Sequence, residues 1–412
     1  MQLVEQHIIP QTDPRFAAID RAAFLSKNLY NAANYLVRQS FIFGHRYISY
    51  CQLDKLMQRS PDYCALPRKV SQWVLRQLDH DWQSFFAASQ AFQENPTAFT
   101  GRPKLPHYKH KLQGRNLLTY TVQAISQKGL KHGVVQPSRL AIEVQTRHAA
   151  LRQVRSVPHK THYTVEVVYE QSPQPTENLN PLWYAGIDIG LDNLATVTSN
   201  KPGCVPVVVN GRPLKSINQY YNRRRAELQA RLPVGASSKR LDRLTDLRNR
   251  RIQYELHLAS RRIIEGLLRE RNGTLIIGKN DGWKQEINLG RQTNQNFVSI
   301  PHARFIQMLT YKAELVGIRV IVREECYTSK CSFLDGEPIE RRETYLGRRV
   351  HRGLFISAGG RRIQAAVNAG YDMIRKEAPC AFDAAGVEGA VVHPVRLVLT
   401  KPKTRKCGHG NE

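Results

Sequence analysis

The chain has 412 residues, of which 41% are hydrophobic, which excludes a disordered chain and exceeds one ordinary core, so two or three domains are expected. Lys and Arg number 61 against 34 Asp and Glu, a formal net charge of +27 that points to a polyanionic partner, nucleic acid before any other. No uninterrupted run of about 18 apolar residues occurs, which excludes a helical membrane span. The N-terminus lacks the basic start and apolar core of a secretory signal, and the seven scattered cysteines fit a reducing compartment.

Residues 1–12 read as a short strand containing "LVEQHIIP". Asp13 and Pro14 then offer a helix N-cap and first helical position. Leu25, Leu29, Ala32 or Ala33, Leu36 and Val37 recur at helical spacing, as do Val70, Val74, Leu78, Trp82 and Phe85 or Phe86 in a second helix. Those aromatics read as core. The segment 100–115, "TGRPKLPHYKHKLQGR", contains Arg102, Lys104, Lys109, Lys111 and Arg115 and no acid. Its prolines and glycines keep it out of regular helix. Cations interleaved with Tyr108 and histidines suit a phosphate backbone with an occasional base contact.

Alternating runs such as "LAIEVQT" and "THYTVEVVYE" within 116–172 predict antiparallel strands of a small barrel or sheet. "QSPQPTENLNP" at 171–181 is a linker. The strand "YAGIDIG" follows, with Asp188 in an apolar run. A carboxylate there is costly unless it is paired, and a metal ion is one candidate. From Arg212 to Arg271 the chain is helical, with 16 Lys or Arg against 6 Asp or Glu, broken by "PVGASS" at 233–238. Helices this basic beside a carboxylate strand suit a nucleic-acid channel. "GTLIIGKNDGW" is a strand, a helix runs from about Pro301 to Val316, "GIRVIVREECY" is a strand, and "AAVNAGYDMIRK" is a closing helix, giving an α/β second half.

These motifs resemble the TnpB-like family of RNA-guided nucleases of bacterial insertion elements, related to type V CRISPR effectors. "GRPKLPHYKHK" is similar to that family's Gly-Arg-Pro…Pro…Lys segment and "GIDIGLDNLATV" to its first RuvC motif. The block from Gly278 to Ile318 is similar to the one preceding its target-nucleic-acid-binding insert, and "YTSKCSFLDGE" with "GRRVHRGLF" to the insert itself. The resemblance implies an α+β multidomain protein. An oligonucleotide-binding β-barrel (wedge, 1–12 and 111–172) would hold a helical recognition insert (13–110). A RuvC-like domain of RNase H fold (181–322 and 361–382) would hold a small insert (323–360), followed by a tail (383–412).

The resemblance also implies carboxylates on three separate elements, holding divalent metal for phosphodiester cleavage. Asp188 occupies the first position. Gly278 stands where the second, a Glu, is expected, and the displaced candidates are Glu325, which we favour, Glu324 and Glu286. Adjacent strand residues face opposite ways, so only one of Glu324 and Glu325 can face Asp188. The third position, in the Asn-Ala-Asp-Val-Asn-Gly pattern of the family, reads Gln364-Ala365-Ala366-Val367-Asn368-Ala369. Ala366 cannot bind a metal, and Asp372, six residues on, lies about 120° around the helix from that face. Cys326 and Cys331 are followed by no second cysteine pair near 348–362, so zinc is not expected, even with Cys407 and His409 in the tail.

The expected function is therefore RNA-guided, sequence-specific DNA binding with a degenerate nuclease. The partners would be a guide RNA and double-stranded target DNA bearing a short flanking motif, with transposition or transcription proteins recruited to the occupied site. The residues assigned to nucleic acid are Arg102, Lys104, Lys109, Arg223, Arg224, Arg225, Lys284, Lys312, Lys330, Arg348 and Arg349. The setting would be the bacterial cytoplasm, at the nucleoid. The alternative is an active Mg²⁺-dependent endonuclease with a rearranged site.

Overall fold

The computed structural model describes residues 1–279, 300–351 and 353–399. Lys284, Glu286, Cys407 and His409 lie outside the described residues. The chain is mixed α+β and divides into two compact units, Met1–Gln171 and Ser172–Glu412. No helix among the described residues is long and apolar enough to cross a membrane.

The first unit is built on a four-stranded antiparallel sheet. Strand Gln2–Pro10 pairs with His162–Glu170, which pairs with Leu151–Pro158, which pairs with Leu118–Thr121. Between the first and second strands in sequence the chain makes a helical excursion, dominated by Phe16–Gly44 and Arg68–Glu94. Val70, Val74, Leu78 and Trp82 of the second helix are buried, as their spacing predicts. Phe41, Tyr47, Phe85 and Phe86 pack around the Trp82 ring at centroid distances of 5.3–6.0 Å. The aromatic stripe is thus core. Trp82 Nε1 finds Asn34 Oδ1 at 3.1 Å, which removes the cost of burying an indole N–H. The run read as the strand "LAIEVQT" is mostly irregular. Only Val144–Gln145 pairs, with Val134–Val135.

The basic segment 100–115 is tied to the first long helix through its backbone. Asn34 Nδ2 donates to Pro106 O at 3.0 Å, Asn31 Nδ2 to Lys109 O at 2.8 Å, and Lys27 Nζ to Lys111 O at 2.6 Å. Arg115 makes a two-point contact with Asp20 at 2.7 and 2.8 Å. One side chain per helical turn therefore satisfies an otherwise irregular strand of chain.

The second unit carries a six-stranded sheet in the order Arg319–Arg323, Asn272–Gly278, Asn180–Asp188, Asn193–Ser199, Val207–Asn210, Val395–Arg396. The first three strands are parallel to one another, and the next two run antiparallel in sequence. Every residue of Asn272–Gly278 is buried, as befits a strand covered on both faces. Leu275, Ile276 and Ile277 are fully buried, each worth about 1.5–3 kcal/mol. The basic segment 212–271 forms two helices, Arg212–Gln229 and Lys239–Arg269. Ser238 caps the second, accepting from Leu241 N at 3.2 Å.

Helix Ala365–Glu377 crosses the sheet over Asn180–Asp188 and Asn193–Ser199. The crossing is close enough to require two glycines. A Cβ on Gly186 would run into the carbonyl of Gly370, and one on Gly370 would stand 2.7 Å from Thr198 Oγ1. Ahead of this helix, Arg348–His351, Leu354–Ile356 and Arg362–Ile363 form a small antiparallel sheet that continues past residue 360 to Ile363.

Candidate functional site

The three parallel strands end on the same side of the sheet. Asp188 is the last residue of the middle strand, Gly278 the last of its neighbour, and Glu325 lies two residues beyond the third. Helix Ala365–Glu377 starts at the same level. Gln364 caps it, its Oε1 accepting from Val367 N at 2.8 Å, which puts Ala366 in the first helical turn. Asp188, Glu325 and Ala366 accordingly line one cavity of about 350 Å³, with Asp192, Thr328, Ser329, Arg349 and Ala369 also on its walls.

The Glu325 side chain lies over Gly278. A Cβ at residue 278 would stand 2.6 Å from Glu325 Cδ, inside van der Waals contact. The empty side-chain position on one strand is thus filled by a carboxylate reaching from beyond the end of the next. Of the candidates weighed in the sequence, Glu325 lines the cavity, whereas Glu324 is exposed.

The site is electrostatically strained in the acidic sense. Burial pushes the Asp188 carboxyl up to about 6, with the charge of Arg349 working against the shift. Burial also pushes Glu325 up to about 8, and the Asp188 charge adds to that shift. The two acids therefore feel one another, and the pair holds protons at a pH where isolated carboxyls would have lost them.

Asp372 does not join them. It is fully buried on another side of the helix, with Asn368 Nδ2 at 3.4 Å and Arg375 Nη1 at 3.3 Å. Asn368 in turn accepts from Phe333 N at 3.0 Å and donates to Cys331 O at 2.8 Å, so this side of the helix faces the 328–337 segment. Asp192 lines the cavity but pairs with Lys215 Nζ at 2.6 Å, fixing the turn after the central strand against helix Arg212–Gln229.

Two-metal phosphodiester chemistry asks for carboxylates on three corners of such a pocket. Here Asp188 and Glu325 stand at strand ends, Asp192 is held by Lys215, and the closing helix presents the Ala366 methyl. Among the described residues no group of three or more His, Cys, Asp and Glu could hold a metal ion. The donor set does not fit a two-metal centre, and no cleavage step follows from it. In the small insert, Cys331 is buried, with its Sγ 3.5 Å from Pro338 O, and belongs to the packing there. The carboxylate of Glu337, also buried, accepts from Ser332 N at 2.8 Å and from Leu346 N at 3.0 Å, and so bridges the two ends of this segment.

The cations assigned to nucleic acid fall into different surroundings. Arg102, Lys104, Arg223, Arg225, Lys330 and Arg348 are exposed. Arg224 pairs with Glu227 one turn on. Lys109 is half-buried, with its Nζ 4.7 Å from the Tyr30 ring centroid, and burial lowers its pKa. Lys312 is half-buried between helices, donating to His257 O at 2.8 Å and Ser260 Oγ at 2.7 Å, and burial pulls it down to about 8. Arg349 lies at the carboxylate cavity. Arg348 and Arg349 are both exposed on the strand Arg348–His351.

Comparison with known proteins adds sequence matches from residue 162 onward. Residues 162–284 match the OrfB_IS605 family model, described as a probable transposase. Residues 302–372 match the Cas12f1-like TNB domain. No curated protein matches. Among solved structures, a Cas12f1–sgRNA–target DNA complex aligns at 11% identity over 90% of this chain and 98% of that chain, with a TM-score of 0.37. A CRISPR–Cas12f ternary complex aligns at 11% identity over 87% and 81%, with a TM-score of 0.35.

Proposed function

The chain belongs to the TnpB-like family of RNA-guided nucleases, and from that premise we propose that it is an RNA-guided, sequence-specific DNA-binding protein that has lost its nuclease and acts by occupying its target. The observation that carries the proposal is Ala366, a methyl group at the third corner of the Asp188–Glu325 cavity. The net charge of +27 supports a guide RNA and double-stranded DNA as the partners, since backbone neutralisation needs no catalysis. Occupancy would repress a neighbouring promoter or recruit transposition or transcription proteins.

The sheet order supports the RNase H-like reading of the second unit. Three consecutive antiparallel strands are followed by two more that add in parallel beside the first. In the first unit, a helical excursion leaving and rejoining one antiparallel sheet supports the wedge with its recognition insert. We assign Arg102, Lys104, Arg223, Arg225, Lys330 and Arg348 to phosphate contacts, and place the protein at the nucleoid of a bacterial cytoplasm.

The alternative, an active endonuclease with a rearranged site, draws on one observation: Glu325 occupies the room over Gly278 and shares a cavity with Asp188. The deciding experiment loads the protein with the RNA that co-purifies with it and offers a matched plasmid with Mg²⁺. Retardation without nicking is expected. Cleavage that disappears in Asp188→Ala would overturn the proposal in favour of the alternative. A random mixture of co-purified RNAs would overturn both.

A further inference from the structure

The first unit contains a second concave site, remote in sequence from the carboxylates. A cavity of about 380 Å³ is lined by Gln58, Arg59, Tyr63, Cys64, Leu66, Arg68 and Arg139. Three of these seven are arginines and none is an acid. They come from three separate stretches: the turn after helix Tyr50–Met57, the start of helix Arg68–Glu94, and the turn before strand Val144–Gln145. An anion entering this concavity would meet three guanidinium groups and no carboxylate on its walls.

One feature favours an anion further: the cavity adjoins the first turn of a 27-residue helix, whose amides and dipole attract negative charge. Tyr63 Oη, which donates to Asp54 at 2.8 Å, also hydrogen-bonds Arg68, and Gln72 Nε2 reaches the same carboxylate at 3.3 Å.

We propose that this cavity binds one phosphate-bearing nucleotide, with Arg59, Arg68 and Arg139 on the phosphate. Guanidinium forks match phosphate oxygens two at a time, and a phosphate carries enough charge to satisfy more than one fork. The volume falls at the lower end of the range for small-ligand pockets, room for one nucleotide and not for a duplex. Gln58, exposed on the cavity wall, offers an amide to the base edge. The site does not depend on the carboxylate cavity or on guided targeting.

The phosphate could be a strand's 5′ terminus or an internal link, and the test separates them. Binding of 5′-phosphorylated and 5′-hydroxyl RNA hexamers of one sequence is measured by fluorescence anisotropy on the full chain, together with Arg59→Ala, Arg68→Ala, Arg139→Ala and Arg139→Lys. Lys128→Ala, an exposed lysine away from the cavity, reports diffuse charge. Each arginine-to-alanine change is expected to weaken binding about tenfold, against less than twofold for Lys128→Ala. Arg139→Lys should recover less than half of the loss. A terminal site loses the preference for the phosphorylated hexamer, and an internal site weakens both hexamers alike. All three arginines are exposed, so their removal should leave the melting temperature unchanged. Arginine changes that cost no more than Lys128→Ala, or full recovery by lysine, would overturn the proposal.

Discussion

Glu325 occupies the space that Gly278 leaves. The carboxylate of one and the missing side chain of the other are complementary, to the point that a single added methyl group at 278 would meet Glu325 Cδ at 2.6 Å. Gly278→Ala should therefore push the Glu325 carboxylate out of the cavity. Its pKa, now raised to about 8, should fall back toward the ordinary carboxylate range, because burial is its first cause. Titration of ¹³C-labelled Glu side chains reads the change, and an unmoved Glu325 would show that the two residues are not coupled.

The pH dependence of stability follows from the same pair. Both acids have folded pKa values above their unfolded ones, so between about pH 4 and 8 the folded state holds more protons than the unfolded state. Their contribution is therefore most favourable at low pH and is lost as pH rises through about 6 for Asp188 and about 8 for Glu325. Thermal melting of Glu325→Gln and Asp188→Asn should show a smaller fall in Tm from pH 5 to pH 8 than the parent chain.

Ala366→Asp places a third carboxylate on the cavity wall. The position is in the first turn of a helix, where the dipole favours a negative charge by about 0.3–1 kcal/mol. Mn²⁺ binding followed by calorimetry should strengthen at least tenfold over the parent chain. In RNA-loaded protein, plasmid nicking should appear and vanish in the Asp188→Ala, Ala366→Asp double variant.

Glu337 should matter to stability more than its distance from the cavity suggests. Its buried carboxylate accepts two backbone amides, at 2.8 and 3.0 Å, that would otherwise be unsatisfied. Glu337→Ala should cost about 2–4 kcal/mol, localised by faster hydrogen exchange across 328–347. A chelator should leave exchange in the parent segment unchanged.

Lys312 separates charge from binding. With Nζ held by His257 O and Ser260 Oγ, it joins two helices. Lys312→Met should lower Tm and leave the salt dependence of nucleic-acid binding intact. Arg223→Ala and Arg225→Ala should leave Tm intact and flatten that dependence, by about one ion per contact.

Part of this was legible in the sequence. The strand carrying Asp188, the basic helices and the closing helix declare themselves through periodicity and motif. Local residue patterns do not tell which lysine heads are held by carbonyls far along the chain. Lys312 looks like its exposed neighbours until His257 and Ser260 arrive beside it, and Lys109 until the Tyr30 ring does. Nor does spacing reveal that Glu337 bridges Ser332 and Leu346.

The approach of Gly186 to Gly370 sets how near the closing helix can come to the central strand. That separation is fixed by backbone contact and owes nothing to the acids at its end. A change of side chain at position 366 should thus leave the frame standing. An acid and a methyl group at position 366 are equally compatible with that frame, so the Ala366→Asp variant should keep the parent fold.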